Sequence, residues 1–351
     1  MAEEIREEVK EKAQAPASAA EKKAVLAETA KVLRSVSPTP HVRDDSSTSG
    51  IMGTVIIALL PATAVGIWNF GPRALVVLLL TIISCVVSEW SFDRITKRKN
   101  SVRDLSCILT GLLLGLNLPV SVPLWMPVLG GFFAIIAVKM LFGGLGQNFM
   151  NPALGARCFL MLSFSRYMTD FSYRPAFGTA DVISGATPLA AVKGGESYDL
   201  LSMFLGNEAG TIGETSALAL LIGGIFLIAC RVISWHLSTC YIVSLLAFAA
   251  VFGGRGFDLN YLGAQLCGGG LMLGAFFMAT DYVTRPITKK GQIIYGIFLG
   301  ILTGIFRIFG PGAEGVSYAI IIGNLIVPLI ERVTEPKHFG WRKPEKGGKA
   351  A

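Results

Sequence analysis

One stretch of the chain gathers groups able to hold a phosphate. Asp181-Val182-Ile183-Ser184-Gly185-Ala186-Thr187-Pro188 offers two hydroxyls, from Ser184 and Thr187, separated by Gly185 and Ala186. Gly185 lets a ligand approach the backbone closely, and Pro188 stiffens the chain directly after the threonine. The same residue types also build an ordinary Ser/Gly/Pro turn, and the residues alone leave both readings open. Arg166, Arg174 and Lys193 lie within the same polar segment and are able to offset phosphate charge; each is equally at home as a solvated surface charge.

A second group of residues stands out by its surroundings. Glu89, Arg157 and Asp281 lie within or at the edge of long apolar stretches, where an ionised side chain is costly and tends to have a role. Glu89 and Asp281 are the candidates for a cation path, because sodium favours oxygen ligands and a proton needs a carboxylate. The competing expectations are an interfacial helix end for Glu89 and a pair with Arg285 for Asp281. His41, His236 and His338 are isolated, and the six cysteines form no Cys-x-x-Cys. Neither a metal centre nor an iron–sulfur cluster is expected from this chain.

The elements that must position these groups are membrane helices. Of 351 residues, 52% are hydrophobic and only 16% charged, and the mean hydropathy is +0.58. That excludes global disorder and a typical soluble composition. Ten nearly charge-free stretches run over residues 51–70, 74–88, 105–118, 124–138, 152–164, 216–230, 237–252, 259–280, 292–306 and 315–330. Several fall short of the ~20 residues that a straight span requires. Flanking Arg73, Glu89, Lys139, Arg231, Arg307 and Glu331 are expected to snorkel to the interface, and some spans to be broken or re-entrant. The net charge of +7 is distributed between the spans rather than gathered into a nucleic-acid patch. With both termini inside, 24 Lys and Arg fall on the cytoplasmic side and six outside, which fixes the orientation.

This divides the chain into a cytoplasmic polar tail (1–45) holding a short amphipathic helix within 18–36, a first five-helix half (46–164), an extracytoplasmic loop (165–215), a second five-helix half (216–331) and a cytoplasmic tail (332–351). The acidic start, with no short apolar core after it, predicts no signal peptide. Thr110-Gly111-Leu112-Leu113-Leu114-Gly115 echoes Gly269-Gly270-Leu271-Met272-Leu273-Gly274. Five spans per half then make the second half an inverted copy of the first, a recurrent transporter architecture. Gly143-Gly144-Leu145-Gly146 is no dinucleotide loop, since Phe149 stands where the third glycine belongs.

Ser184-Gly185-Ala186-Thr187 resembles the flavinylation motif of membrane redox complexes. Ser37-Pro38-Thr39-Pro40-His41, Phe142-Gly143-Gly144-Leu145-Gly146-Gln147-Asn148, Asn151-Pro152-Ala153 and Phe277-Met278-Ala279-Thr280-Asp281 are similar, in that order, to RnfD, the D component of the Rnf complex. That family is related to the B component of the sodium-translocating NADH:quinone oxidoreductase. Tyr282 departs from the family's frequent proline at that position, and the N-terminal extension is longer than in many relatives. The resemblance implies an all-α integral membrane fold of about ten helices as two inverted five-helix repeats, urea-channel-like. It implies a flavin-carrying subunit of an ion-translocating ferredoxin:NAD oxidoreductase, not a complete enzyme alone, coupled to sodium or proton transport in the bacterial inner membrane. FMN would be esterified to Thr187 on the outer side by a flavin transferase, with Ser184, Gly185 and Ala186 completing the motif. Tyr167, Phe171, Tyr173 and Phe177 would offer rings to the flavin. Riboflavin would be a second, non-covalent cofactor. The implied partners are the A, B, C, E and G components of Rnf and membrane lipid, with no nucleic acid. A stand-alone channel or solute transporter and a non-redox scaffold are the rival expectations.

Overall fold

The computed structural model describes residues 47–98, 101–172, 187–194, 199–206, 210–310 and 315–336. Within them the secondary structure is helical. The amphipathic helix expected within 18–36 lies outside these residues, as do Ser184, Gly185, Ala186, Tyr173, Arg174 and Phe177.

The first two helices among the described residues are long, α1 (Thr48–Phe70) and α2 (Pro72–Ile95). Between them Gly71 adopts φ 75° and Pro72 occupies the first helical position, where its missing N–H costs nothing. The short α3 (Ser106–Leu116) follows a 3-10 turn, Val102–Asp104. Helix α4 (Trp125–Phe132) continues without a break as a π-helix, Phe133–Met140. Asn151 then caps α5 (Pro152–Ser163), its side-chain oxygen accepting from the amides of Ala153 and Leu154 at 3.0 and 3.4 Å. This cap, with proline in first place, explains why α5 begins at the Asn-Pro pair.

Segment 165–215 contains short helices: α6 (Ser165–Met168), α7 (Pro188–Gly194) and α8 (Leu200–Leu205). The second half comprises α9 (Ala217–Ala229), α10 (Trp235–Phe252), α11 (Leu259–Cys267), α12 (Leu271–Leu273) continued as a π-helix over Gly274–Met278, α13 (Lys289–Phe309) and α14 (Val316–Thr334). Ser216, Asp258 and Thr288 cap α9, α11 and α13 with their side-chain oxygens. Polar residues between the apolar stretches thus supply the partners that helix starts require.

Five of these helices, α1, α2, α10, α13 and α14, are long and apolar enough to cross a membrane. Helix α11 and the α12 segment form a sixth only as a pair bent by 60°. The remaining apolar helices, α3, α4 with its π continuation, α5 and α9, are shorter. The ten apolar stretches read from the sequence therefore correspond to helices, while five to six qualify as spans by length and composition.

Packing joins the two parts of the chain. Helix α2 packs on α3 and α4, α10 on α13, α1 on α9, and α5 on α14. Glycines allow the close approaches. A methyl at Gly111 would come within 2.7 Å of Ile82 Cα, and one at Gly296 within 2.8 Å of the Leu237 carbonyl. Without a hydrophobic drive between helices in lipid, small residues that let backbones meet provide the attraction.

Candidate functional site

Thr187 stands at the start of α7. Its carbonyl accepts from the amides of Ala190 and Ala191 at 2.8 and 3.0 Å, so its backbone is held while its side chain is half-buried. No hydrogen bond of its hydroxyl is found among the described residues. Helix α7 is anchored by its other face. Leu189 and Val192 are buried, and Leu189 lies against Gly268 and Gly269, where α11 ends. Lys193 donates through Nζ to the Gly310 carbonyl, so it serves the end of α13. The Arg255 guanidinium reaches the Val192 carbonyl at 3.5 Å. Tyr167 lies edge-on to Trp125 at 6.5 Å, a packing contact at the end of α5.

Asp281 belongs to a different place, a cleft that encloses about 710 Å³ of space, its open mouth included. Its walls come from α1, α3, the loop before α5, the end of α9 with the turn after it, and the stretch after α12, with Phe276, Phe277 and Tyr282 as its rings. Asn148, Asn151, Thr110, Ser106 and Lys139 supply polar edges. Both π-helices contribute, through Lys139 and through Phe276 and Phe277; π segments widen a helix and recur at functional sites. The Asp281 carboxylate accepts from Thr284 Oγ1 at 3.3 Å. The expected partner Arg285 instead lies over the Tyr282 ring, 4.5 Å from its centroid.

Glu89 is not an interfacial helix end. It is fully buried, and both its oxygens are engaged. Oε2 accepts from Lys139 Nζ at 2.6 Å, and Oε1 from Ser101 Oγ at 2.6 Å. Lys139 also donates to Ser106 Oγ at 2.6 Å, and Ser101 Oγ to Asp93 at 2.9 Å. The expectation that Lys139 snorkels is therefore wrong: it is 2% exposed, because a carboxylate and a hydroxyl inside the bundle replace water as its partners. Arg307, also expected at the interface, is 3% exposed. Its guanidinium donates to the carbonyls of Gln265, Gly268 and Gly269 and to Gln265 Oε1. The break in the α11–α12 span supplies carbonyls that would otherwise be unsatisfied, and these draw the cation inward.

Arg157 is the third buried cation among the described residues. Its Nη1 donates to Asn117 Oδ1 at 2.7 Å and to Ser317 Oγ at 2.9 Å, and lies 3.0 Å from Glu214 Oε1. Asn117 follows α3, Ser317 starts α14 and Glu214 precedes α9, so one side chain ties three parts of the fold. Sequence reasoning does not single out Glu214, Asn117 or Ser317. The available signal is Glu214 itself, a lone carboxylate in the polar run Thr211–Ser216 directly before an apolar helix.

A family model described as the NQR2, RnfD, RnfE family matches residues 35–340. The chain belongs to that family. Among its relatives, the D component of the Na(+)-translocating ferredoxin:NAD(+) oxidoreductase complex of Acetobacterium woodii is 46% identical over 320 residues, covering 90% of this chain and 98% of the relative. The D component of the proton-translocating ferredoxin:NAD(+) oxidoreductase complex of Clostridium ljungdahlii is 40% identical over 329 residues, covering 90% and 99%. The D component of the ion-translocating oxidoreductase complex of Stutzerimonas stutzeri is 37% identical over 335 residues, covering 84% and 93%. Within the NQR2, RnfD, RnfE family, one relative is named for sodium and another for protons, so this level of likeness does not choose the ion.

Proposed function

We propose that this chain is the D component of an Rnf-type, ion-translocating ferredoxin:NAD oxidoreductase in the bacterial inner membrane, carrying FMN covalently on Thr187. The observation that carries this reading is the near full-length identity to the D components of such complexes. The threonine suits an ester link: its backbone is fixed by α7, while the residue is only half-buried and its hydroxyl holds no hydrogen bond among the described residues. When bound, FMN supplies the one-electron chemistry, and the protein supplies position and electrostatics. Leu189 and Val192 hold the attachment segment to the bundle, and Pro188 prevents Thr187 from being drawn into a longer helix.

The cleft beside Asp281 suits a second, non-covalent flavin, riboflavin. It combines apolar rings with a few polar edges, the lining that a small-ligand site has. Phe276, Phe277 and Tyr282 would face the ring system, with Asn148 and Asn151 beside its polar rim. Asp281 is the better candidate for the cation path, because it lines the cleft while both oxygens of Glu89 are committed to Lys139 and Ser101.

The proposed architecture is two inverted five-helix halves with both termini inside and the Thr187 segment outside. Support comes from equivalent helices meeting across the halves: first with first (α1 on α9) and fifth with fifth (α5 on α14). Within each half, the second helix packs on the fourth (α2 on α4, α10 on α13). The proposed partners are the remaining Rnf components, A, B, C, E and G, and a flavin transferase during maturation.

The test is flavin fluorescence in a denaturing gel, from chain produced together with its transferase. The band fluoresces if the flavin is covalent, and Thr187→Val abolishes the signal at unchanged expression. A dark wild-type band refutes the assignment.

A further inference from the structure

The bend between α11 and α12 is built by Gly268, Gly269 and Gly270, the last two at φ 65° and 66°. Such a break leaves the last carbonyls of α11 without helical partners, and within a membrane these must be satisfied by protein. Arg307, reaching over from α13, meets that need. Nη1 binds the Gln265 carbonyl and lies 3.2 Å from Gln265 Oε1, while Nη2 lies 2.8 and 3.2 Å from the carbonyls of Gly268 and Gly269. A cation at a helix C-terminus is also favoured by the helix dipole.

The same bend also seats α7. A methyl at Gly269 would lie 2.5 Å from Leu189 Cδ2 and 3.0 Å from Arg307 Nη2, so Leu189 and Arg307 meet beside one glycine and share the space its missing side chain leaves. The Leu189 Cβ lies 3.5 Å from the equivalent position on Gly268. Leu189 is two residues from Thr187, whose carbonyl holds the amides of Ala190 and Ala191. A second link runs along α13: Lys193, at the far end of α7, donates to Gly310, just past the helix that carries Arg307. The bend also touches the buried pair, since Glu214 lies directly against Gly270.

We propose that Arg307 is the positioning residue for the segment that bears Thr187, holding the Gly268–Gly270 bend in the shape that seats Leu189. This rests on the reading of Thr187 as the flavin's attachment point, and its test separates the two claims. Arg307→Met and Leu189→Ala are compared with wild type in the intact complex by hydrogen exchange of the α7 amides and by the midpoint potential of the covalent flavin. Both variants should speed exchange at Ala190 and Ala191 by roughly tenfold or more, with α2, α5 and α10 unchanged, and should shift the potential. Arg307→Lys, which keeps the charge but not the fork, should fall between. Arg307→Lys retains the buried charge, so it decides the question even if Arg307→Met does not assemble, while Leu189→Ala checks that the contact with the bend is what seats α7. Unchanged α7 exchange, or an increase spread evenly over all helices, overturns the proposal. A wild-type chain without covalent flavin refutes the Thr187 reading alone, because the exchange result still reports on Arg307.

Discussion

Lys139 and Arg307 are two buried cations that solve opposite problems. Each lies near the end of a helix that packs on a neighbour through glycines, and each reaches toward a short or broken apolar helix. Lys139 meets the start of α3 at Ser106, where the exposed amides favour negative charge. Its position is sustained by the carboxylate of Glu89 at 2.6 Å, with Asp104 accepting from Ser106 nearby. Arg307 meets the end of α11, where carbonyls point outward, and three of those main-chain oxygens hold it. A cation at a helix start needs a carboxylate beside it; a cation at a helix end is met by the backbone itself.

The largest effect should come from separating the first pair. Lys139→Met leaves Glu89 buried and uncompensated, which typically costs about 3–5 kcal/mol. Thermal unfolding of the detergent-solubilised complex should show a strongly lowered midpoint, and Lys139→Met with Glu89→Gln together should recover most of the loss. If the single and double variants behave alike, the pair is not the stabilising unit.

Close helix packing comes next. Gly300→Ala would place a methyl 2.7 Å from both the Leu245 amide nitrogen and the Tyr241 carbonyl, an overpacking that costs about 1–3 kcal/mol. Gly53→Ala, whose nearest neighbour is Leu105 Cδ1 at 3.8 Å, should be close to neutral in the same unfolding assay. Equal effects would show that the α10–α13 contact is looser than described.

Arg307→Lys should be milder than Lys139→Met. It retains a cation at the favourable helix end but replaces a planar fork with a single ammonium, a loss of about 1–2 kcal/mol in hydrogen bonding. A destabilisation as large as that of Lys139→Met would break the distinction drawn between the two cations.

The smallest effect lies at the surface. The Ser202 hydroxyl and the Leu201 amide hold the Asp199 carboxyl below the usual carboxylate range. Its contribution to α8 is therefore present above the ordinary carboxylate pKa and lost as pH falls through the lowered folded value. Acid titration should loosen only the first turn of α8, as read by amide exchange corrected for intrinsic pH dependence, and Asp199→Asn should weaken that response.

Helices and their polar contacts differ in how far the sequence alone reveals them. Apolar runs and Asn-Pro, Ser and Thr caps are local signals, so the helical segments and their starts, such as Asn151-Pro152, can be read directly. Lys139, Glu89 and Arg307 read as interfacial because a single sequence shows each charge beside an apolar run, not the partner some 40 or 50 residues away that replaces water. Glu214 escapes notice for the same reason: its partner Arg157 lies in α5, far away in the chain. Asp281 is visible as a charge at a span's edge, but the cleft it borders is assembled from six separate stretches of the chain. The Ser184–Thr187 motif carries its meaning by resemblance, since its residue types equally make a turn.

The central claim is an ester between a ribityl phosphate and the Thr187 hydroxyl. Mass spectrometry of the proteolytic peptide spanning that residue, from complex matured in its native host, tests it most directly. The account predicts a mass increased by FMN less one water, with the fragment series placing it on Thr187. A peptide recovered only at its unmodified mass, or with the addition on another residue, would contradict it.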